Sequence, residues 1–385
     1  MLEDALDRDE LYQLVKTVFP VAPLGGSLVV LVDVPDRTVP DNDEWRERRR
    51  MANEWAGILR GCSGDLNVDR VDLVAYQNVG SNNADLPAEA YLWNEDAQPD
   101  SLEDLYRSGR ELSFEKVFHT ARLIMAPTEF STTAPLKVAA AYHGFRAATM
   151  PGFSKAMIPA LRLDYEEINR RVTLLKNKLD PVTTAEVSFL VDGSESYHMK
   201  MDLRHRQAHA SGGCFPREGE AGNLPSGETY IVPYEGEVDE ASGTSGTLPV
   251  QLGEDLVLYE VRANRAVSVT GEGETAAREA ELLSREPAYG NIAELGFGVL
   301  GDFGLKPIGQ ILLDEKLGFH IAFGRSDHFG GAVGPADFHS PKAVVHIDRI
   351  YIPSTQPRVI VEKIEVKTPD GTTEILMQDG RYTCF

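Results

Sequence analysis

Hydrophobic and polar positions follow two different patterns along the chain, and the first covers roughly the N-terminal half. Continuous apolar runs, "SLVVLVDV" (27–34), "RVDLVAYQNVG" (70–80) and "ARLIMAPTEFST" (121–132), are separated by segments of helical spacing such as "DEWRERRRMANEWAGIL" (43–59). Unbroken β-branched runs are typical of strands buried on both faces, and the segments between them are typical of crossover helices. The pattern predicts an α/β domain with a mostly parallel sheet over residues 1–180.

A strand-rich pattern replaces this alternation from about residue 185. Short apolar segments such as "AEVSFLVD", "DLVLYEVRANRAVSV" (255–269) and "RVIVEKIEV" are separated by turns rich in Gly, Ser and Pro, and one helix is expected over 274–286. The polar segment "GEVDEASGTSGTLPVQLGED" (236–255) is predicted to be an exposed loop. We therefore expect a β-rich α+β domain over residues 181–385.

Composition and charge restrict the partners. The chain has 385 residues and a formal net charge of −22, which disfavours nucleic acid and anionic membranes because both are bound through Lys and Arg. No apolar run is long enough to span a bilayer, and the acidic N-terminus lacks the features of a secretory signal. The sequence therefore predicts a cytoplasmic protein that binds neither nucleic acid nor membrane.

Several common sites are missing from the sequence. Cys62, Cys214 and Cys384 are far apart and form no CxxC pair, so neither a disulfide framework nor a cysteine zinc site is expected. Neither the GxGxxG motif for dinucleotides nor the GxxxxGK[ST] phosphate loop occurs. These absences leave side chains of the second half as the candidates for chemistry.

Four segments of the second half carry side chains that bind metals. They are "AGNLPSGETYIVP" with Glu228, "YGNIAELGFGVL" with Glu294, "GFHIAFGRSDHFGG" with His320, and "VVHIDRIYI" with His346 and Asp348. Each taken alone is compatible with a structural role, as a turn carboxylate, a core histidine or a hydrogen-bonded His–Asp pair. An ionised Glu294 among apolar neighbours, however, costs several kcal/mol unless it is paired or bound to a cation. Together the five residues indicate a metal site.

The number and type of these ligands favour two cations over one. Among the five ligands, the three carboxylates offset much of the charge of two divalent ions, and a carboxylate can bridge them. Oxygen and nitrogen ligands without thiolate suit zinc, cobalt or manganese. Two such ions can activate water and polarise a carbonyl, which predicts a hydrolase.

The motifs "GNLPSGE", "NIAELGFG", "LLDEKLGFHIAFG" and "HIDRI" resemble those of the aminopeptidase T family of metallopeptidases, over about residues 140–352. The resemblance implies two metals, zinc, cobalt or magnesium, held by all five residues, with Glu294 also the general base. It further implies a homodimer that removes N-terminal residues from small peptides or aminoacyl amides.

One position departs from the family pattern, which has a tyrosine seven residues after the histidine of the HIAxG segment. This chain has Asp327 there, and an ionised Asp cannot donate a hydrogen bond to an oxyanion. The neighbouring His328 is the candidate replacement and a second predicted catalytic residue. A solvated turn at "RSDH", and a family member without peptidase activity, are the alternatives.

A second function class is also open. His320, His346 and Asp348 have the composition of a two-His, one-carboxylate site for a single Fe(II). The fold family is distantly similar to ring-cleaving 2,5-dihydroxypyridine dioxygenases, which makes an iron dioxygenase the alternative. The presence of ligands at all five positions of the two-metal site favours the hydrolase.

Overall fold

A computed structural model describes residues 4–21, 23, 25–238, 240–340 and 343–385. It has a mixed α/β fold with one mostly parallel sheet and two antiparallel sheets. This agrees with the predicted order of an α/β region followed by a β-rich region. The first three residues of the acidic N-terminal segment lie outside the described residues. In the described part, no helix is both long and apolar enough to cross a membrane.

The α-helices have the following bounds: α1 Arg8–Val18, α2 Asp43–Arg60, α3 Leu102–Ser108, α4 Phe114–Thr120, α5 Thr133–His143, α6 Ile158–Leu161, α7 Tyr165–Leu179, α8 Gly273–Arg285 and α9 Ile311–Asp314. The strands have the following bounds: β1 Ser27–Val34, β2 Arg70–Gln77, β3 Glu89–Trp93, β4 Arg110–Ser113, β5 Ala121–Ala126, β6 Arg146–Thr149, β7 Thr184–Val191, β8 Glu195–Asp202, β9 His209–Ser211, β10 Ala221–Asn223, β11 Glu228–Ile231, β12 Ser245–Leu252, β13 Asp255–Arg262, β14 Arg265–Gly271, β15 Ile292–Gly298, β16 Phe319–Gly324, β17 His346–Ile350, β18 Val359–Lys367, β19 Thr373–Gln378 and β20 Arg381–Tyr382.

The first compact unit comprises Met1–Asn169 and Ser211–Ser226. Its seven-stranded sheet has the order β10-β6-β5-β1-β2-β3-β4, in which β10, β6, β5, β1 and β2 run parallel. Strand β3 pairs antiparallel with β2, and β4 pairs antiparallel with β3. Every residue of β1 is buried, as its unbroken apolar run predicts. Helix α2 begins after Asn42, whose side chain accepts a hydrogen bond from the Trp45 amide and caps the first turn.

The second compact unit comprises Arg170–Ala210 and Gly227–Phe385. An eight-stranded antiparallel sheet has the order β14-β13-β12-β8-β7-β18-β19-β20, and a five-stranded sheet has the order β17-β16-β15-β11-β9. The five-stranded sheet carries all five candidate ligands. The predicted boundary of folding domains at residue 180 stays a prediction.

Two predictions of local structure in the second half were wrong. The segment 236–255, predicted to be a loop, contains β12, which pairs along its whole length with β13. Its Gly and Ser content concealed the short apolar stretch around Leu248, which is fully buried. The run 255–269, predicted to be one strand, folds as the hairpin β13–β14, because Ala263 and Asn264 adopt positive φ values of 47° and 65° and reverse the chain.

Candidate metal centre

The five candidate ligands lie on one face of the five-stranded sheet. Glu228 is on β11, Glu294 on β15, His320 on β16, and His346 and Asp348 on β17. Residues paired across antiparallel strands point to the same face, and so do residues two apart on a strand. The registers that relate the ligands are Glu228↔Gly298, Gly296↔His320, Glu294↔Ala322, Ala322↔Asp348 and Gly324↔His346. The structure therefore brings all five predicted residues together.

Small residues between the ligands make room for their side chains. A β-carbon at Gly296 would lie 1.9 Å from Nε2 of His320, so the imidazole of His320 lies directly over the backbone of β15. At Gly298, a β-carbon would lie 2.3 Å from the carbonyl carbon of Lys316. The glycines of "ELGFG" are thus required by the close approach of side chain and backbone above them.

Glu294 is at the centre of the cluster and is 3% exposed. Its Oε1 lies 3.2 Å from Nε2 of His320, and its Oε2 lies 3.4 Å from Nε2 of His346. The two oxygens of one carboxylate therefore face two different imidazoles. This arrangement divides the five residues into two groups that share Glu294.

Each group offers three ligand atoms within 4.8 Å of one another. We call Glu228, Glu294 and His320 the inner group, because all three are buried, and Glu294, His346 and Asp348 the outer group. The Nε2 atom of His320 is 3.7 Å from Oε2 of Glu228, and that of His346 is 3.6 Å from Oδ1 of Asp348. Ligand atoms around one cation, at about 2.0–2.2 Å from it, are about 3 Å or slightly more apart. Both groups have spacings close to this value.

Each group also contains one buried carboxylate oxygen that lacks a hydrogen-bond partner among the described residues. These atoms are Oε2 of Glu228 in the inner group and Oδ1 of Asp348 in the outer group. A buried polar atom without a partner costs about 1–3 kcal/mol, and more if it is charged. A cation in each group would satisfy both oxygens.

The charges of the cluster stabilise one another in the metal-free chain. Burial acts to raise the pKa of Glu294, but its interactions with His320 and His346 outweigh burial and hold the pKa well below its usual range. Burial acts to lower the pKa of His320, yet Glu294, Asp348 and Glu228 raise it to about 9. The pKa of His346 is likewise raised against burial, by Asp348 and Glu294. Glu294 and Asp348, whose pKa values are lowered, are therefore ionised, and the imidazoles take up protons where no cation is bound.

A buried lysine lies beside the inner group. The side chain of Lys316 is 1% exposed, and its Nζ donates a hydrogen bond of 2.6 Å to Oε1 of Glu228 and another to Glu315. Burial would lower the pKa of Lys316, but Glu228 and Glu315 raise it, so the ammonium stays charged. Lys316 thus occupies one oxygen of Glu228 and leaves Oε2 facing His320.

Backbone carbonyl groups orient both histidines. The Nδ1 atom of His320 is 3.1 Å from the Gly318 carbonyl oxygen, and that of His346 is 2.8 Å from the Arg325 carbonyl oxygen. A carbonyl only accepts hydrogen bonds, so the proton of each neutral imidazole is placed on Nδ1. Nε2 of each ring is then free to bind a cation inside its group.

The glycine-rich loop after β16 contributes an aromatic wall. The ring of Phe329 lies 5.4 Å from that of His346 and 4.8 Å from that of Tyr230 on β11. His328, the predicted second catalytic residue, has its ring 5.4 Å from His346, and burial followed by the charge of His346 lowers its pKa to about 4. His328 is therefore a neutral imidazole near the outer group at neutral pH.

Asp327 does not replace the tyrosine of the family pattern. Its carboxylate accepts a hydrogen bond of 2.5 Å from Nε of Arg325, and although burial acts to raise its pKa, Arg325 holds the pKa below the usual value. The group is ionised and can only accept hydrogen bonds.

Sequence reasoning missed Tyr230. It is two residues after Glu228 on β11, pairs with Gly296, and therefore lies on the ligand face. Its hydroxyl has no hydrogen-bond partner within the described ranges. The "GETY" spacing, with period two, could have placed Tyr230 beside Glu228.

The comparisons with known proteins give one informative result. No family model matches the chain, and no curated protein matches it. Among solved structures, the chain is similar to a 2,5-dihydroxypyridine dioxygenase from Pseudomonas putida KT2440, with a TM-score of 0.61 and 14% sequence identity over 99% of each chain. At this identity the likeness shows a shared fold.

This result bears on the predictions from resemblance. The distant similarity to dihydroxypyridine dioxygenases is confirmed at the level of the fold. The resemblance to aminopeptidase T, with its hydrolase activity and homodimer, receives no support from these comparisons and stays a prediction. The two ligand groups are compatible with a metal centre.

Proposed function

We propose that this protein is a metal-dependent enzyme whose centre holds two divalent cations that share Glu294, and that it hydrolyses an amide bond. The observation that carries the proposal is the position of Glu294, whose two oxygens each face the histidine of a different three-ligand group. A single cation would fill only one of the two groups. The buried carboxylate oxygen of the other group would then still lack a partner.

The charge balance also favours two cations. Glu228, Glu294 and Asp348 supply three carboxylates. The Lys316 ammonium lies between Glu228 and Glu315, and burial raises the pKa of Glu315 to about 8. Three carboxylates would offset most of the charge of two divalent ions. Zinc, cobalt and manganese suit these imidazole and carboxylate donors, with magnesium less suited to them. When bound, two such ions supply a nucleophile at neutral pH and a Lewis acid for a carbonyl oxygen.

The protein side chains would act on the substrate as follows. Glu294 would remain ionised as the ligand common to both groups, because a bound cation favours the charged form of a carboxylate. With both oxygens facing imidazoles, Glu294 is better placed as a shared ligand than as a general base. The free hydroxyl of Tyr230 would donate a hydrogen bond to the substrate carbonyl oxygen as negative charge develops there. Neutral His328, whose ring lies against Phe329, can also donate one hydrogen bond.

A second candidate function is a ring-cleaving Fe(II) dioxygenase. Its support is the fold shared with a 2,5-dihydroxypyridine dioxygenase over 99% of both chains, a kind of support that the hydrolase lacks. The ligand geometry supports it less well. His320 and His346 fall into different groups, so each group contains one histidine and two carboxylates instead of two histidines and one carboxylate.

Reconstitution with defined metals separates the two functions. Metal-free protein would be loaded anaerobically with zinc, cobalt, manganese or Fe(II), then assayed against aminoacyl 4-nitroanilides and for oxygen uptake with dihydroxypyridines. The proposal expects amide hydrolysis with two equivalents of zinc, cobalt or manganese, independent of dioxygen. Oxygen uptake that requires one equivalent of Fe(II), without amide hydrolysis, would replace the hydrolase by the dioxygenase.

A further inference from the structure

The two histidines of the centre are oriented by carbonyl groups of different origin. His320 bonds to Gly318, two residues earlier in the chain, so its orientation is set locally. His346 bonds to Arg325, 21 residues away, at the start of the loop that connects β16 and β17. The orientation of His346 therefore depends on whatever fixes that loop.

A buried carboxylate fixes the start of the loop. Oε1 of Glu235 accepts hydrogen bonds of 2.6 Å from Oγ of Ser326 and 2.6 Å from Nδ2 of Asn291. Its Oε2 accepts a hydrogen bond from the amide of Ala332 at the far side of the same turn. The side chain of Glu235 is 4% exposed, so little water competes for its carboxylate oxygens. Glu235 thus ties together both sides of the turn that follows Arg325.

Further contacts leave the turn little freedom. Asn291 donates from the same Nδ2 to the Gly324 carbonyl oxygen at 2.9 Å, which links Glu235 to the end of β16. The Ser326 hydroxyl accepts from the amide of Val333 at 3.2 Å. A β-carbon at Gly331 would lie 2.2 Å from Oγ of Ser326, so the turn is closed tightly around this hydroxyl.

Arg206 compensates the charge of Glu235. The guanidinium lies 3.6 Å from Oε2 of Glu235 and also pairs with Glu237. Glu237 does not touch the turn through any contact in the described part of the chain, whereas Glu235 bonds it on both sides. Glu235 and Glu237 therefore share Arg206, but only Glu235 also forms hydrogen bonds to the loop.

We infer that Glu235 is a positioning residue for the outer cation. Through Ser326 it holds the Arg325 carbonyl against Nδ1 of His346, and so keeps Nε2 of His346 directed at Glu294 and Asp348. The inference rests on the proposed function in that the outer group binds a cation. The inner group, whose His320 is oriented by Gly318, does not depend on Glu235.

The test compares cation affinities in Glu235→Gln, Ser326→Ala and the control Glu237→Gln. A glutamine has one accepting oxygen, and its amide nitrogen would face the donors that Glu235 now accepts from. Cobalt titrations followed by absorbance and calorimetry would give both affinities, with His346→Ala identifying the outer cation. We expect the outer cation to bind about 10–100-fold more weakly in Glu235→Gln, more weakly also in Ser326→Ala, and unchanged in Glu237→Gln. The inner cation should bind as in the wild type.

Two results would overturn the inference. One is an unchanged affinity for the outer cation in both Glu235→Gln and Ser326→Ala. The other is an equal loss of affinity for the outer and the inner cation, which indicates general loss of structure. If Glu235→Gln fails to fold, Ser326→Ala decides, because it removes only a hydroxyl. A wild-type protein that binds a single cation contradicts the two-cation proposal. If that cation is lost in His346→Ala, weaker binding in Ser326→Ala supports the inference and unchanged binding overturns it. If the cation is retained in His346→Ala, no outer cation exists and the inference is overturned.

Discussion

His320 lies over Gly296, and a β-carbon at residue 296 would be 1.9 Å from Nε2 of the imidazole. The atom that would bind the inner cation is therefore the atom that a side chain at Gly296 would displace. We predict that Gly296→Ala removes the inner cation and abolishes turnover while the outer cation remains.

Metal analysis and circular dichroism of Gly296→Ala check this prediction. Gly57→Ala is the control, because a β-carbon at Gly57 would meet no heavy atom within 4 Å. Two cations bound to a folded Gly296→Ala protein would show that the position of His320 does not matter for the centre.

The candidate ligands could be found from sequence because each lies in a short motif on a strand. Period two alone placed His346 and Asp348 on one face. The sequence does not reveal how the three carboxylates are distributed between the inner and outer groups. The sharing of Glu294 depends on the register of β15 against β16 and on the orientation of its side chain. It also does not reveal the contacts of Glu235, which lies 91 residues from Ser326 in the chain.

Prediction of the strands from the sequence has the same limit. The buried run of β1 was predicted with its correct bounds, because a continuous apolar sequence has few alternatives. The strand β12 was missed, since its pairing with β13 and not its Gly- and Ser-containing sequence makes it a strand. Tyr230 was overlooked because a tyrosine on a strand is usually a packing residue, and only its free hydroxyl on the ligand face distinguishes it.

The buried ion pairs of Lys316 should matter most when no metal is bound. In Lys316→Met, Glu228 and Glu315 would face each other without the ammonium between them. We predict that the free energy of unfolding of the metal-free protein falls by about 3–5 kcal/mol, the usual cost of breaking a buried pair.

Urea denaturation in the presence of a chelator measures this change. The control is Lys178→Met, whose partner Glu374 is 46% exposed, and we expect it to lower stability by less than about 1 kcal/mol. Equal effects of the two substitutions would mean that Lys316 has no special role beside the centre.

Cation binding should release protons. In the metal-free chain the pKa of His320 is raised to about 9, so at pH 7 this imidazole is protonated and must lose its proton to bind a cation. The affinity for the inner cation should therefore rise with pH up to about 9, by about tenfold per pH unit for the proton displaced from His320, and level off above it.

Calorimetric titration at pH 7 in buffers of different ionisation enthalpy counts the protons. We expect at least one proton released per chain when both cations bind. A binding enthalpy that is the same in all buffers would contradict protonated histidines in the metal-free centre.

The hydroxyl of Tyr230 should affect turnover and not metal binding. Tyr230→Phe keeps the ring contact with Phe329 but removes the donor. By analogy with other oxyanion donors we expect kcat to fall about 100–1000-fold, with KM and metal content nearly unchanged. Tyr197→Phe is the control, because that tyrosine bonds to Glu195 on β8, outside the ligand sheet. A kcat equal to that of the wild type would remove Tyr230 from the reaction.

The central claim is that Glu294 is shared by two cations, and metal content tests it most directly. Elemental analysis would be made of protein reconstituted with zinc, cobalt or manganese and freed of loosely bound ions, for the wild type and for Glu294→Gln. The account predicts two ions per wild-type chain and the loss of at least one in Glu294→Gln, since both groups lose charge at their common ligand. One ion per wild-type chain, or two ions in Glu294→Gln, would contradict it.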